Sequence, residues 1–171
     1  LRNISENNTY GGAISLATAS RINSDSGTLT LNKSTDAITG TNVNLTIGGS
    51  GDTTVSTIIS TGSGTLTKDG SGTLTLSGTN TFTGSTTINA GTLLTNATAD
   101  TLGITGTITV GSGATYQLNE TDSVGPITGS GSIVIASGKT LTTVVNGPTS
   151  FDGVISGAGN LTKTGTATLT L

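Results

Sequence analysis

The sequence predicts an all-β solenoid, a chain wound into parallel coils of short strands stacked one on the next. Three observations carry this expectation. Leu, Ile and Val alternate with Thr over short runs, Gly stands at the boundaries of those runs, and one fifteen-residue string returns about 95 residues further on.

The alternation comes first, because it separates this chain from a disordered one. Thr supplies about a quarter of the 171 residues, 27 are Gly, and charged residues are 9%. Such a composition permits disorder, but the apolar residues recur with period two, as in Thr-Leu-Thr-Leu at Thr73 to Leu76 and Thr-Ile-Thr-Val at Thr107 to Val110. Side chains on a strand point alternately to opposite faces, so each run buries an apolar face and presents Thr on the other. Thr is β-branched, and its stiffness favours strands as well.

Gly marks the corners. GTLTL at Gly27 to Leu31, GTITV at Gly106 to Val110 and GSIVI at Gly131 to Ile135 each read as a corner followed by a strand. Turn-rich segments such as NKSTD, GGSGD, NATAD and NETDSVGP separate them. A sandwich of hairpins would use two-residue turns, and Asp69-Gly70, Asn146-Gly147 and Asp152-Gly153 keep that alternative open. The long repeat favours the solenoid: GSGTLTKDGSGTLTL at Gly62 to Leu76 returns as GAGNLTKTGTATLTL at Gly157 to Leu171 with ten positions identical. Stacked coils should place like residues above like, pairing Leu66 with Leu161, Lys68 with Lys163 and Leu74 with Leu169, over four or five coils of about 19 to 24 residues. The whole chain is then one continuous solenoid of roughly seven to eight coils over residues 1–171, and reads as an excerpt of a longer repetitive protein. The inward residues should be Leu29, Leu31, Leu66, Leu74, Leu76, Phe82, Ile88, Leu93, Ile108, Val110, Ile133, Ile135, Leu161, Leu169 and Leu171.

Composition excludes several functions. With no His and no Cys there is neither a thiolate nor an imidazole to hold zinc, and no disulfide. A net charge of −3 with scattered Lys and Arg offers nucleic acid no basic patch, and no apolar run is long enough for a spanning helix. Nine carboxylates remain: Glu6, Asp25, Asp36, Asp52, Asp69, Asp100, Glu120, Asp122 and Asp152. Only Glu120 and Asp122 lie close, at a spacing that could place both on one strand face with Tyr116 nearby for a sugar ring. Two carboxylates and one aromatic match many surfaces, so a solvated turn is the plainer reading, and no catalytic, cofactor-binding or metal site is expected. GGSGD at Gly48 to Asp52 occurs once, without the repetition of calcium-binding β-rolls. The Asn-x-Ser/Thr triplets at Asn3, Asn7, Asn32, Asn44, Asn96, Asn119 and Asn160 are what chance gives in so Thr-rich a chain. Lys68 and Lys163 read as solvated turn charges, and Asn80 as a corner residue.

From Gly62 to Leu93, GSGTLTKDGSGTLTLSGTNTFTGSTTINAGTL resembles the passenger-associated transport repeat of Gram-negative autotransporters. The resemblance rests on Leu66-Thr67-Lys68, Gly72 to Leu76, Asn80 to Gly84, Thr86-Thr87-Ile88 and Gly91-Thr92-Leu93. ISENNTYGGAISL at Ile4 to Leu16 looks like the Gly-Gly-Ala-Ile element of polymorphic outer membrane protein repeats. These resemblances imply a right-handed parallel β-helix, exported to the cell surface or beyond, that aids passenger folding and secretion. They also imply adhesion or display toward a host or cell-surface protein or glycan. The residues themselves leave two other roles open: a self-associating element of an extracellular fibre or layer and, more remotely, a carbohydrate-processing β-helix. Neither end shows an evident polar cap, so neighbouring coils of the same or an identical chain are expected partners, without nucleic acid or membrane insertion.

Overall fold

A computed structural model describes residues 1–34, 38–97, 101–102 and 105–171, and every strand pairing within them is parallel. Each coil contributes up to three short strands to three faces. The first face stacks Arg2–Asn3, Ser20–Ser24, Leu45–Gly48, Leu66–Lys68, Thr86–Ile88, Ile108–Val110 and Ile127–Gly129. It continues through a Gly129–Phe151 bridge to Thr149–Ser150 and Leu169–Thr170. The second face stacks eight strands, from Asn8–Tyr10 and Thr28–Leu31 through Thr73–Leu76 to Val154–Gly157. The chain therefore makes about eight turns, as the sequence predicts, and Asp69-Gly70 turns a corner between parallel strands instead of closing a hairpin.

Register shows why the pattern forces this shape. Leu45, Leu66, Thr86, Ile108 and Ile127 stand in one inward column, and Leu29, Thr53, Leu74, Leu93, Tyr116 and Ile133 in another. The inner strands of the second face, such as Thr28–Leu31, Thr73–Leu76, Thr92–Thr95 and Thr115–Leu118, alternate half-buried and buried residues, so a one-residue slip would turn a whole column outward. The outward row Thr46, Thr67, Thr87, Thr109 and Thr128 forms a ladder on the first face, with the Thr109 and Thr128 hydroxyls 3.0 Å apart. Of the fifteen residues expected to point inward, the twelve from Leu29 to Ile135 are buried. Leu161 and Leu169 are only partly covered and Leu171 is 71% exposed, because no coil among the described residues packs over them.

One expectation fails in an instructive way. Leu161 does not stand above Leu66: it pairs with Leu141 on the third face, while Leu66's own column leads to Leu169. The returning string is displaced by one face of the coil. In its first copy Leu-Thr-Lys lies on the first face and Thr-Leu-Thr-Leu on the second; in its second copy these lie on the third and the first. What recurs is a strand-corner-strand unit, and it fits more than one corner.

Candidate functional site

The third face stands apart, because its ladder is interrupted. Ile14–Leu16, Ile38–Gly40 and Ile59–Ser60 form one parallel stack, and Asp122–Val124, Thr140–Val144 and Asn160–Thr164 form another. Between them the described residues around Asn80 and at 101–102 form no strand, and side chains take over the hydrogen bonding. The buried Asn80 carboxamide accepts from the Ile59 amide at 2.8 Å and donates to the Thr101 carbonyl at 2.8 Å, so one side chain joins three coils. Asp122 Oδ1 then accepts from the Thr101 amide at 2.9 Å and from Ser123 at 3.0 Å. The same device recurs at the corners: Asn7, Asn42, Asn44 and Asp52 each accept the amide 21 residues ahead, on Thr28, Ser63, Thr65 and Thr73. Two of the Asn-x-Ser/Thr asparagines, Asn7 and Asn44, thus bridge neighbouring coils.

The carboxylates do not converge. Asp122 is buried, and its Oδ2 accepts from the Tyr116 hydroxyl at 3.1 Å; Glu120 stays in the preceding turn and binds Lys139 at 2.6 Å. The spacing that could align the two carboxylates on one face instead turns Asp122 into the core. Tyr116 is fully buried beside Leu93 and Ile133, so it offers no ring to a sugar. Burial and the nearby Asp122 charge push its phenol well above the ordinary range, which keeps it a hydrogen-bond donor. Asp25 binds Arg2 at 2.6 Å and Asp69 binds Arg21 at 2.7 Å. Asp36 and Asp100 lie outside the described residues. Among the described residues, no three His, Cys, Asp or Glu gather as metal ligands, and no helix is long and apolar enough to cross a membrane.

Lys68 corrects the sequence reading most sharply. It is 1% exposed, standing in the inward column between Ile47 and Ile88. Its ammonium donates to the carbonyls of Asp69 and Gly70 at 2.8 Å each and to Ala90, one coil further on, at 3.0 Å. Three donors meet three acceptors, which is the full capacity of an ammonium group. Burial pushes its pKa down, against the favourable charges of Asp69 and Asp52. Lys163 makes the two equivalent local bonds, to Thr164 at 3.2 Å and Gly165 at 2.8 Å, but it is exposed and has no contact resembling that with Ala90. Period two contained the signal for Lys68, since Leu66 and Lys68 are two residues apart and share a face.

Comparison with known proteins places this geometry in a family context. Residues 66–94 match the family described as the passenger-associated-transport-repeat, and the match spans the Lys68 clasp, the Asn80 bridge and the Ala90 corner that closes on Lys68. The chain is a β-solenoid, and one stretch of it, residues 66–94, is similar to that repeat. No curated protein and no solved structure matches it. The Gly-Gly-Ala-Ile element at Ile4 to Leu16 gains no support from the comparisons.

Proposed function

We propose that this chain is a non-catalytic segment of an autotransporter passenger. In this reading it is secreted or displayed at the surface of a Gram-negative bacterium, and its coils serve adhesion or display and help the passenger fold as it emerges. The observation that carries the reading is the coincidence of the matched repeat with the inter-coil bonds of Lys68 and Asn80. Both side chains bind the next coil to one already formed. A chain emerging in order from a pore gains from such contacts, since each new coil finds donors and acceptors already in place.

The test is display of the segment between an export signal and an outer-membrane β-barrel, read by protease accessibility on intact cells. Replacing Lys68 by Met together with Asn80 by Leu should reduce folded, surface-exposed protein severalfold. Unchanged display would defeat the reading, as would glycan cleavage by the purified wild-type chain.

A further inference from the structure

An acidic or amide residue is followed by Gly at three corners, Asp69-Gly70, Asn146-Gly147 and Asp152-Gly153, and the fold separates one of them from the other two. A Cβ on Gly70 would meet the Gly49 carbonyl oxygen at 2.3 Å, and one on Gly153 the Gly131 oxygen at 1.9 Å, so both glycines are pressed against the coil before them. Around Gly147 nothing lies within 4 Å of the same point. Asn146, Gly147 and Pro148 are all exposed, and among the described residues neither the Asn146 carboxamide nor the Gly147 amide makes a hydrogen bond. This exposure is lateral. The strands on both sides of the corner pair with the coil that follows, Val144 with Thr164 and Thr149 with Leu169, and the Ala167 amide donates to the Val145 carbonyl at 3.0 Å. Other asparagines lack one of these features. Asn3, Asn7, Asn42, Asn44 and Asn80 are held by side-chain hydrogen bonds, and the exposed Asn89 and Asn96 are each followed by Ala, whose Cβ crowds the amide nitrogen.

The backbone nitrogen that follows an asparagine attacks its side-chain carbonyl when that nitrogen is unbonded and uncrowded and the backbone is free to bring the two together, which Gly favours. We propose that Asn146-Gly147 is a self-modification site, at which the chain converts Asn146 into aspartyl and β-aspartyl residues through a succinimide. The Gly147 nitrogen loses its proton to solvent base and forms a bond to Asn146 Cγ. The Cγ–Nδ2 bond breaks, and Nδ2 takes a proton from water and leaves as ammonia. Water then opens the ring at either carbonyl. Breaking the bond from nitrogen to Cγ gives an ordinary aspartate, and breaking the bond from nitrogen to the Asn146 backbone carbonyl carbon gives the β-aspartyl linkage. Solvent water is the only co-reactant, and nothing is oxidised or reduced. Either product puts a carboxylate into a groove whose lining residues, Thr105, Pro126, Val144, Asn146 and Gly147, carry no charge. The β-aspartyl form also lengthens the main chain by one carbon between the strands Thr140–Val144 and Thr149–Ser150. The groove thus becomes anionic as the chain ages, and this holds whether or not the autotransporter reading does.

Peptide mapping by mass spectrometry during incubation of the folded chain at pH 7 and pH 9 tests this, with isoaspartyl methyltransferase labelling to detect the β-aspartyl product. Asn146 should convert with release of ammonia, faster at pH 9, while Asn89 and the Asp69-Gly70 corner stay unchanged over the same time. No hydrogen bond must break first, so the folded rate should lie within about threefold of that in urea-unfolded chain. Gly147→Ala, which has room for its Cβ, should slow the conversion about tenfold or more. Circular dichroism confirms that this variant is folded; if it is not, the folded and unfolded wild-type rates decide by themselves. The proposal is overturned if Asn146 survives in the folded chain while the unfolded chain converts it, if Asn89 converts as fast as Asn146, or if a folded Gly147→Ala keeps the wild-type rate.

Discussion

The strings at Gly62 to Leu76 and Gly157 to Leu171 are nearly the same sequence in two settings, the middle of the rod and its last coil. In the first, Leu66, Lys68, Leu74 and Leu76 are all buried; in the second, Leu161 and Leu169 are half-covered and Lys163 and Leu171 are exposed. The local geometry survives the change. Gly70 and Gly165 have φ of 70° and 79°, and each lysine binds the two carbonyls that follow it. In the second setting no further coil is among the described residues. The strand and corner are thus local properties of the string, while burial and the third ammonium bond belong to the stack.

The most direct way to break the comparison is to remove the same side chain from both settings. Leu74→Ala empties a fully buried site and should cost about 2–5 kcal/mol, because the surrounding coils cannot collapse into the cavity. Leu169→Ala, in the equivalent place of the second string, should cost less than half as much. Urea midpoints at constant slope measure both, and equal losses would mean that the last coil is better covered than its exposure indicates.

The lysines sharpen the contrast, since they share two local bonds and differ in burial and in the bond to Ala90. Lys68→Met keeps the apolar stem but leaves the carbonyls of Asp69, Gly70 and Ala90 without their donor inside the rod, at a cost of about 2–3 kcal/mol. Lys163→Met should leave stability unchanged, because water replaces the ammonium at an exposed corner. The contribution belongs to the buried setting, with its third bond to Ala90, if Lys68→Met is costly while removal of Lys163 is silent. It is not there if both are silent.

The legibility of these features follows the same division. Period two and corner glycines were enough to name the twelve buried residues from Leu29 to Ile135, since alternation is a property of each strand by itself. The repeat pointed to a solenoid for a mistaken reason, because its spacing is set by corners and not by whole coils: Leu161 lies on the third face. The charge of Lys68 and Asp122 points to the surface, although each sits two residues from an inward residue, Leu66 and Val124, and in the fold position outweighs charge. The acceptors that make those burials possible come from Ala90 and Thr101, residues that only the stack brings near.

Three threonines interrupt the columns around the first string. Thr53 stacks on Leu74, Thr86 on Leu66 and Thr95 on Leu76; the buried hydroxyls of Thr53 and Thr86 have no hydrogen-bond partner among the described residues, whereas that of Thr95 lies against the Tyr116 phenol. A desolvated, unbonded hydroxyl is a net cost, so Thr53→Val and Thr86→Val should each raise stability by up to about 1 kcal/mol. The gain should appear as a higher urea midpoint with an unchanged slope. A loss would reveal that the hydroxyl holds a buried water, and that the column is wetter than its apolar neighbours suggest.

The smallest effect concerns the one acidic residue that the second string lacks. Asp69 corresponds to Thr164, and only the first string can receive Arg21, which reaches across an intervening strand with Nη1 and Nη2 each 2.7 Å from the Asp69 carboxylate. The hydrogen bond from Arg21 holds the Asp69 carboxyl below its ordinary value, with burial opposing and the Arg21 and Lys68 charges adding. Because the folded pKa is depressed, this stabilisation is present above the unfolded value and is lost as pH falls through the folded one. The side chains are 47% and 31% exposed, so solvent screening reduces the pair to a few tenths of a kcal/mol. Arg21→Gln should therefore lower the urea midpoint slightly at pH 7 in low salt, and the difference from wild type should shrink below about pH 4 as Asp69 protonates. It should also fade in about 1 M salt. A difference that persisted at low pH and high salt would show that Arg21 acts through packing of its stem along Thr46 and Thr67, and the two strings would then differ in shape at this corner as well as in charge.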